Sequence, residues 1–209
     1  MNEPLTQDKR HALLCSAVRA VARYGMKDVS TRRISADAGV NDAYIYRYFQ
    51  DKEDLLVQAF LLENQQFMAQ AIKQIDQVRQ SAPRESLDKR FETVFYAAWR
   101  YLLDRPEVCR FFLYYYLSPN FAQHARAPYR RQLDELAEKV RPLFASGEEA
   151  KQSLYALFVL LNAFAVQVLN GEQPDTPETG RRVLQMTFAA VRSQMGPENT
   201  TGKAASQPL

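Results

Sequence analysis

The densest chemistry in the sequence lies in Ala43-Tyr44-Ile45-Tyr46-Arg47-Tyr48-Phe49, where three phenols and a guanidinium fall within seven residues. A phenol offers a hydroxyl to a phosphate oxygen and a ring to a thymine methyl. Arg47 can pair with phosphate or with guanine. Lys52 follows closely, and Ser30, Thr31 and Arg32 stand upstream. At helix starts, such residues suit phosphate contacts, because the first N–H groups of a helix are free. Asp42 fits less simply. Its carboxylate repels phosphate, so it either complements its own helix dipole or accepts a bond from cytosine N4. Together these residue types suit a nucleic-acid surface. Lys and Arg barely outnumber Asp and Glu within residues 1–60, and the net charge of the chain is +3. The reading therefore rests on arrangement, not on bulk charge. The plain alternative for Tyr44 and Tyr48 is an ordinary core position.

The elements that position these groups follow from punctuation. Tyr-rich alternation favours a strand locally, but the flanks carry helix signals. Residues 7–24 predict an amphipathic helix, with Leu14, Ala17, Val18 and Val21 at helical spacing and Gly25 as its stop. Ser30 is placed to cap a short helix, with Val29 and Ile34 as a hydrophobic staple. Gly39 sits where a left-handed C-cap is needed. The grammar repeats: Asn41 is the next cap, with Val40 and Ile45 as its staple, and Asp51 caps a third helix. We therefore expect residues 42–49 to be helical, with tertiary context overriding local propensity. Two short helices joined by Ala38-Gly39-Val40-Asn41 make a helix-turn-helix. Ile45 and Phe49 are four apart and share the anchoring face. Asp42, Ala43, Tyr46 and Arg47 are left outside it, and Tyr44 and Tyr48 flank it.

The rest of the chain also reads as helix. It has 209 residues, only seven of them glycine, with 46% apolar and 24% charged residues. That balance favours an all-α soluble protein. Helices are expected over 52–80, from Pro83 to about 102, over 106–117, over 121–145, from the Ser146–Glu149 capping box to about 170, and from the Thr176 cap with Pro177 to about 195. Residues 196–209 are small and polar, and expected to be disordered. Cys15 and Cys109 have no metal or redox spacing and read as reduced thiols of a cytoplasmic protein. His11 and His124 belong to no metal-site pattern. No Gly-rich phosphate loop, HExxH or Ser/His/Asp arrangement occurs, so neither an enzyme nor a cofactor is expected. The N-terminus is polar and reads as neither a signal nor a transit peptide. The apolar run 154–169 is short for a membrane span and contains Asn162 and Gln167, which favours a buried helix and no membrane partner.

The segment from about 10 to 56 resembles the tetracycline-repressor (TetR) family of bacterial transcriptional regulators. The matching elements are Gly25, Ser30-Thr31-Arg32-Arg33-Ile34, Ala38-Gly39-Val40, Ile45-Tyr46-Arg47-Tyr48-Phe49 and Lys52-Glu53-Asp54-Leu55-Leu56. The resemblance implies a three-helix DNA-binding head over 1–51 and a helical ligand-binding, dimerising body over 52–195. By the family's motif, Thr31, Asp42, Ala43, Tyr44, Tyr46, Tyr48 and Lys52 fall at DNA-contacting positions. The sequence departs from the family pattern in three places. Asp42 stands where a polar or basic residue is frequent, Ser35 where alanine is frequent, and Val21 where an aromatic is.

The resemblance also implies a cavity in the body for a small-molecule effector. The aromatic-rich stretch 91–121 supplies the candidates Phe95, Tyr96, Trp99, Phe112, Tyr115 and Tyr116, against a default of plain helix packing for each. The helix over 147–170 is apolar on more than one face, which with the last helix suits a four-helix interface in a homodimer. The resulting expectation is a sequence-specific, ligand-responsive regulator: a repressor released from a palindromic double-stranded DNA operator. The alternative is a helical protein-interaction module that does not bind DNA.

Overall fold

The computed structural model describes residues 3–81 and 84–195, with side chains from residue 8 onward. Among these residues the chain is all-α, with nine α-helices and no strand. They are α1 (Glu3–Asp28), α2 (Thr31–Asp37), α3 (Ala43–Tyr48), α4 (Lys52–Ser81), α5 (Leu87–Leu103), α6 (Pro106–Tyr116), α7 (Arg126–Val140), α8 (Gly147–Leu169) and α9 (Pro177–Arg192). A π-turn over Phe121–Ala125 leads into α7, and a 3-10 turn over Arg141–Leu143 follows it.

Punctuation read from the sequence appears at nearly every boundary. Gly25 breaks α1 with φ 74°, a conformation that costs glycine nothing. Ser86, Ser146 and Thr176 cap α5, α8 and α9, and Ser146 forms the full capping box with Glu149. Each such cap stabilises its helix by about 1 kcal/mol. Several starts differ from expectation: α1 begins at Glu3 rather than at 7, α3 at Ala43 rather than at 42, and α7 at Arg126 rather than at 121. The α5 helix begins at Leu87, where the Ser86 hydroxyl accepts the Lys89 N–H, and Pro83 lies outside the described residues. So does 196–209.

The chain divides into two compact units, Met1–Gln66 with Arg105–Arg130, and Phe67–Asp104 with Arg131–Leu209. The expected head 1–51 lies inside the first. The start of α4, all of α6 and the start of α7 are grouped in the same unit.

The first unit has a core in two parts. Under the short helices lie Leu13, Leu14, Ala17, Val21, Ile34, Ile45 and Leu55, all essentially inaccessible to water. Behind them, Phe60 of α4 sits among Phe112, Tyr115, Phe121 and Tyr129, with ring centroids between 4.9 and 5.8 Å away. Such offset and edge-on pairs add roughly 0.5–1.5 kcal/mol each beyond burial.

In the second unit, α5, α8 and α9 pack on one another. The α8 helix has the bounds expected from its capping box and extends beyond the apolar run 154–169. Gly147–Ser153 extends it to 23 residues, long and apolar enough by length and composition to cross a membrane. Its inward face carries Ala150, Phe158, Leu161, Ala165 and the buried Asn162, which donates to the Phe158 carbonyl at 2.8 Å. Leu154, Leu157, Leu160 and Phe164 are only half-buried.

Candidate nucleic-acid interface

The interface is built on α2, the turn and α3. The Ser30 hydroxyl accepts the Arg33 N–H at 3.3 Å and fixes the start of α2. At its end, Gly39 adopts φ 66°, its N–H reaches the Ala36 carbonyl, and the Val40 N–H reaches that of Ser35. That pair of bonds is the Schellman termination. Asn41 then turns the chain into α3, its side-chain oxygen accepting the Ala43 N–H at 2.9 Å. Asp51 caps α4 by accepting the Asp54 N–H at 2.8 Å. The four-residue frame leaves α3 little freedom to slide or rotate.

Within α3 the division of labour is that expected from spacing. Ile45 is fully buried and Phe49, its C-cap, 3% exposed, whereas Tyr46 is 64% exposed. Asp42, Ala43 and Arg47 are exposed, and Tyr44 and Tyr48 are half-buried. The last two stack, with centroids 6.1 Å apart and planes at 25°. Cations stand at both ends of the pair: Arg47 lies 5.9 Å from the Tyr48 ring, and Lys9 of α1 lies 4.3 Å from the Tyr44 ring. The Lys9 ammonium also donates to the Tyr44 hydroxyl at 3.0 Å, which lowers the Tyr44 pKa below that of an ordinary phenol. Arg10 sits over Phe49 at 5.5 Å. Sequence reasoning missed Lys9 and Arg10. Both lie on α1, far along the chain, and no spacing rule within the helix-turn-helix reaches them.

Asp42 stands at the N-cap of α3, and its carboxylate has a partner that the sequence did not suggest. The Ser35 hydroxyl, itself buried, donates to its carboxylate. It therefore ties α2 to α3 and makes no side-chain cap on its own helix. The two departures from the family pattern at Ser35 and Asp42 are thus partners in one bond. A second tie joins α1 to α2. The buried Ser16 hydroxyl lies 2.7 Å from both the Ile34 carbonyl and the Asp37 carboxylate, and Arg19 donates to that carboxylate at 2.6 Å. The Ser16 bond first, and Arg19 after it, hold the Asp37 carboxyl below its ordinary range.

Ser30 and Arg32 are exposed, and Thr31 is half-buried. The Lys52 ammonium lies 3.5 Å from the Val29 carbonyl and 3.5 Å from the Glu53 carboxylate. It thus stands beside the start of α2, where Ser30 and Thr31 begin. The described residues hold no group of three His, Cys, Asp or Glu side chains suited to a metal, although His11 Nε2 lies 3.4 Å from Cys15 Sγ.

The second unit contains a cavity of about 200 Å³ between residues of α4, α5, α7, α8 and α9. Of the six candidate effector residues, only Phe95 lines it. Tyr96 and Trp99 instead lie against Gly180 of α9, where their atoms would stand 3.2 and 3.7 Å from a Cβ. Phe112 and Tyr115 belong to the fully buried cluster around Phe60, and Tyr116 packs on Phe121 at 4.7 Å. An aromatic-rich sequence marks burial, and burial alone does not separate a cavity wall from a filled core.

An all-helical chain with a capped helix-turn-helix that offers one helix face outward defines the class of helix-turn-helix DNA-binding regulators. Residues 13–59 match the family of bacterial regulatory proteins described as the tetR family. The likeness to that family is carried by this head alone. Solved structures share the whole fold. A TetR family transcription regulator from Marinobacter aquaeolei VT8 matches with a TM-score of 0.70 at 22% identity, over 90% of this chain and 98% of that one. The transcriptional regulator FadR from Bacillus subtilis, solved in complex with stearoyl-CoA, matches at 0.63 and 19%, over 86% and 98%. The multidrug binding protein EbrR, complexed with imidazole, matches at 0.60 and 21%, over 86% and 94%.

Proposed function

We propose that this protein is a cytoplasmic, homodimeric transcriptional repressor that a small molecule releases from a palindromic operator. The observation that carries the DNA part is the division of α3. Ile45 and Phe49 anchor it, while Tyr46, Arg47 and the flanking Tyr44 and Tyr48 remain available to a major groove. Ser30, Thr31, Arg32 and Lys52 hold the flanking phosphates, and Ala43 leaves room for close approach. Asp42 acts chiefly through Ser35, orienting the two helices.

The dimer is supported by the outer faces of α8 and α9. Met186 is 50% exposed and the side chains of Leu160, Phe164 and Leu184 are only half-buried. Two copies paired through these helices would form a four-helix interface and place two heads on one duplex. Successive major-groove half-sites lie about 34–36 Å apart, which demands a palindrome. Ligand response is supported by the cavity, and by relatives of this fold solved with bound ligands. An effector that binds better when the heads are misplaced for DNA shifts the population off the operator. The α4 helix begins in the unit that holds the head and ends in the one that holds the cavity.

Selection of genomic fragments with the purified protein, followed by footprinting, tests this reading. A two-fold symmetric footprint is expected, with affinity falling steeply as salt rises. Tyr46→Ala and Lys52→Ala together should weaken binding at least tenfold while leaving the melting temperature unchanged. An asymmetric footprint, salt-insensitive affinity or an inert double variant would favour a protein partner for the head instead.

A further inference from the structure

The cavity of the second unit carries more information than its size. All its lining residues are apolar except Arg79, Arg90 and Ser153. None is acidic, so the wall offers no counter-charge to a cationic ligand. Arg79 is engaged, because its guanidinium donates to the Lys139 carbonyl. The other two are not. Among the described residues, Arg90 Nε and Ser153 Oγ are buried without a hydrogen-bond partner, and Ser153 is only 4% exposed. A buried polar atom without a partner is costly, and a native chain normally satisfies it. Here both unsatisfied atoms belong to one cavity, on α5 and α8, helices that pack together.

We propose that the cavity takes an aliphatic carboxylic acid. Its chain lies along the Leu, Val and Phe wall, its carboxylate is held by the Arg90 guanidinium, and the Ser153 hydroxyl is a second donor. The guanidinium fork matches a carboxylate in geometry and charge. A volume of about 200 Å³ lies below the roughly 300–1,000 Å³ of drug-sized sites, which selects a medium-length chain. The proposal rests on the reading of this unit as the effector-binding one, and adds the chemical class.

Calorimetric titration of the full-length protein with three probes of equal chain length tests it: decanoate, decanol and decyltrimethylammonium. Decanoate should bind at least tenfold more tightly than decanol, and the ammonium most weakly. Arg90→Gln should erase the advantage of decanoate and leave decanol affinity unchanged, whereas Arg90→Lys should restore part of it. Ser153→Ala should cost a smaller factor. Equal affinity for all three, tightest binding of the ammonium, or binding of none would overturn the proposal. So would an Arg90→Gln protein that still prefers decanoate. Release of selected DNA fragments is measured in parallel. Decanoate bound selectively without any effect on DNA would leave the chemical class standing and refute the effector reading.

Discussion

Two short helices in this molecule are written in nearly the same alphabet and end up opposite in role. The α3 helix reads AYIYRY and α6 ends in RFFLYYY. In α6, Phe111, Phe112 and Tyr115 are fully buried around Phe60. In α3, only Ile45 is buried, and three tyrosines lie at or near the surface. Aromatic content does not separate the two cases; the number of neighbours does. The α6 helix packs along α1 and against Phe60 of α4. The six-residue α3 rests on one layer and needs two anchors, so its remaining side chains are free for another task. Tyrosine serves both, because its ring tolerates burial and its hydroxyl tolerates water.

The comparison breaks most sharply at Phe60. Replacing it by alanine removes the centre of the α6 cluster and should cost about 3–5 kcal/mol, read as a large fall in the denaturation midpoint. One atom of that cluster should behave in the opposite way. The Tyr115 hydroxyl is buried with no hydrogen-bond partner, and burial pushes its pKa well up. Tyr115→Phe should therefore be neutral or slightly stabilising. A loss above about 1 kcal/mol there would mean that the hydroxyl has a function the packing does not reveal.

How much of this was legible follows from what each feature depends on. Caps and glycine stops act within four or five residues, so Ser30, Gly39, Asp51, Ser146 and Thr176 could be read directly from the chain. The outward face of α3 was legible too, because spacing on a helix fixes which residues share a side. What could not be read depends on distant partners. Lys9 reaches Tyr44 across 35 positions. Asp42 suggested a base contact or a helix-dipole role, and its bond from Ser35, seven positions earlier, lies in the packing of two helices that no spacing rule reads. The effector candidates came largely from aromatic content in α5 and α6. The cavity wall instead draws Leu, Val and Phe from five helices, a set that no local pattern brings together.

The Ser35–Asp42 bond sharpens the comparison at an intermediate scale, because it asks how firmly α3 must be held to present its face. Ser35→Ala leaves Asp42 exposed to water, a mild change. Asp42→Ala leaves the Ser35 hydroxyl buried without this acceptor, so it should cost more. A double-mutant cycle should return a coupling of about 1–2 kcal/mol, as for a hydrogen bond to a charged group. DNA affinity should fall by more than the stability loss alone explains, since both helices lose their mutual orientation. A coupling near zero would reduce the pair to a surface coincidence.

The smallest effect belongs to Asp37, the corresponding tie between α1 and α2. Its carboxyl titrates below its ordinary value of 3.8, chiefly because the Ser16 hydroxyl bonds to the charged form. The ionised form is the one favoured by folding. Its contribution is therefore complete above the unfolded pKa, close to 4, and is lost as pH falls through the lower folded value. Its side chain is 44% exposed, so water screens the Arg19 pair and the contribution should stay under about 1 kcal/mol. Asp37→Asn should lower the melting temperature slightly at pH 7, and the gap to the parent protein should close as pH falls through the lowered folded value. A gap that persisted undiminished in acid would locate the effect in the shape of the side chain rather than its charge. The α1–α2 tie would then be a matter of packing, as the cluster around Phe60 is, and not of the polar bonding that fixes α2 to α3.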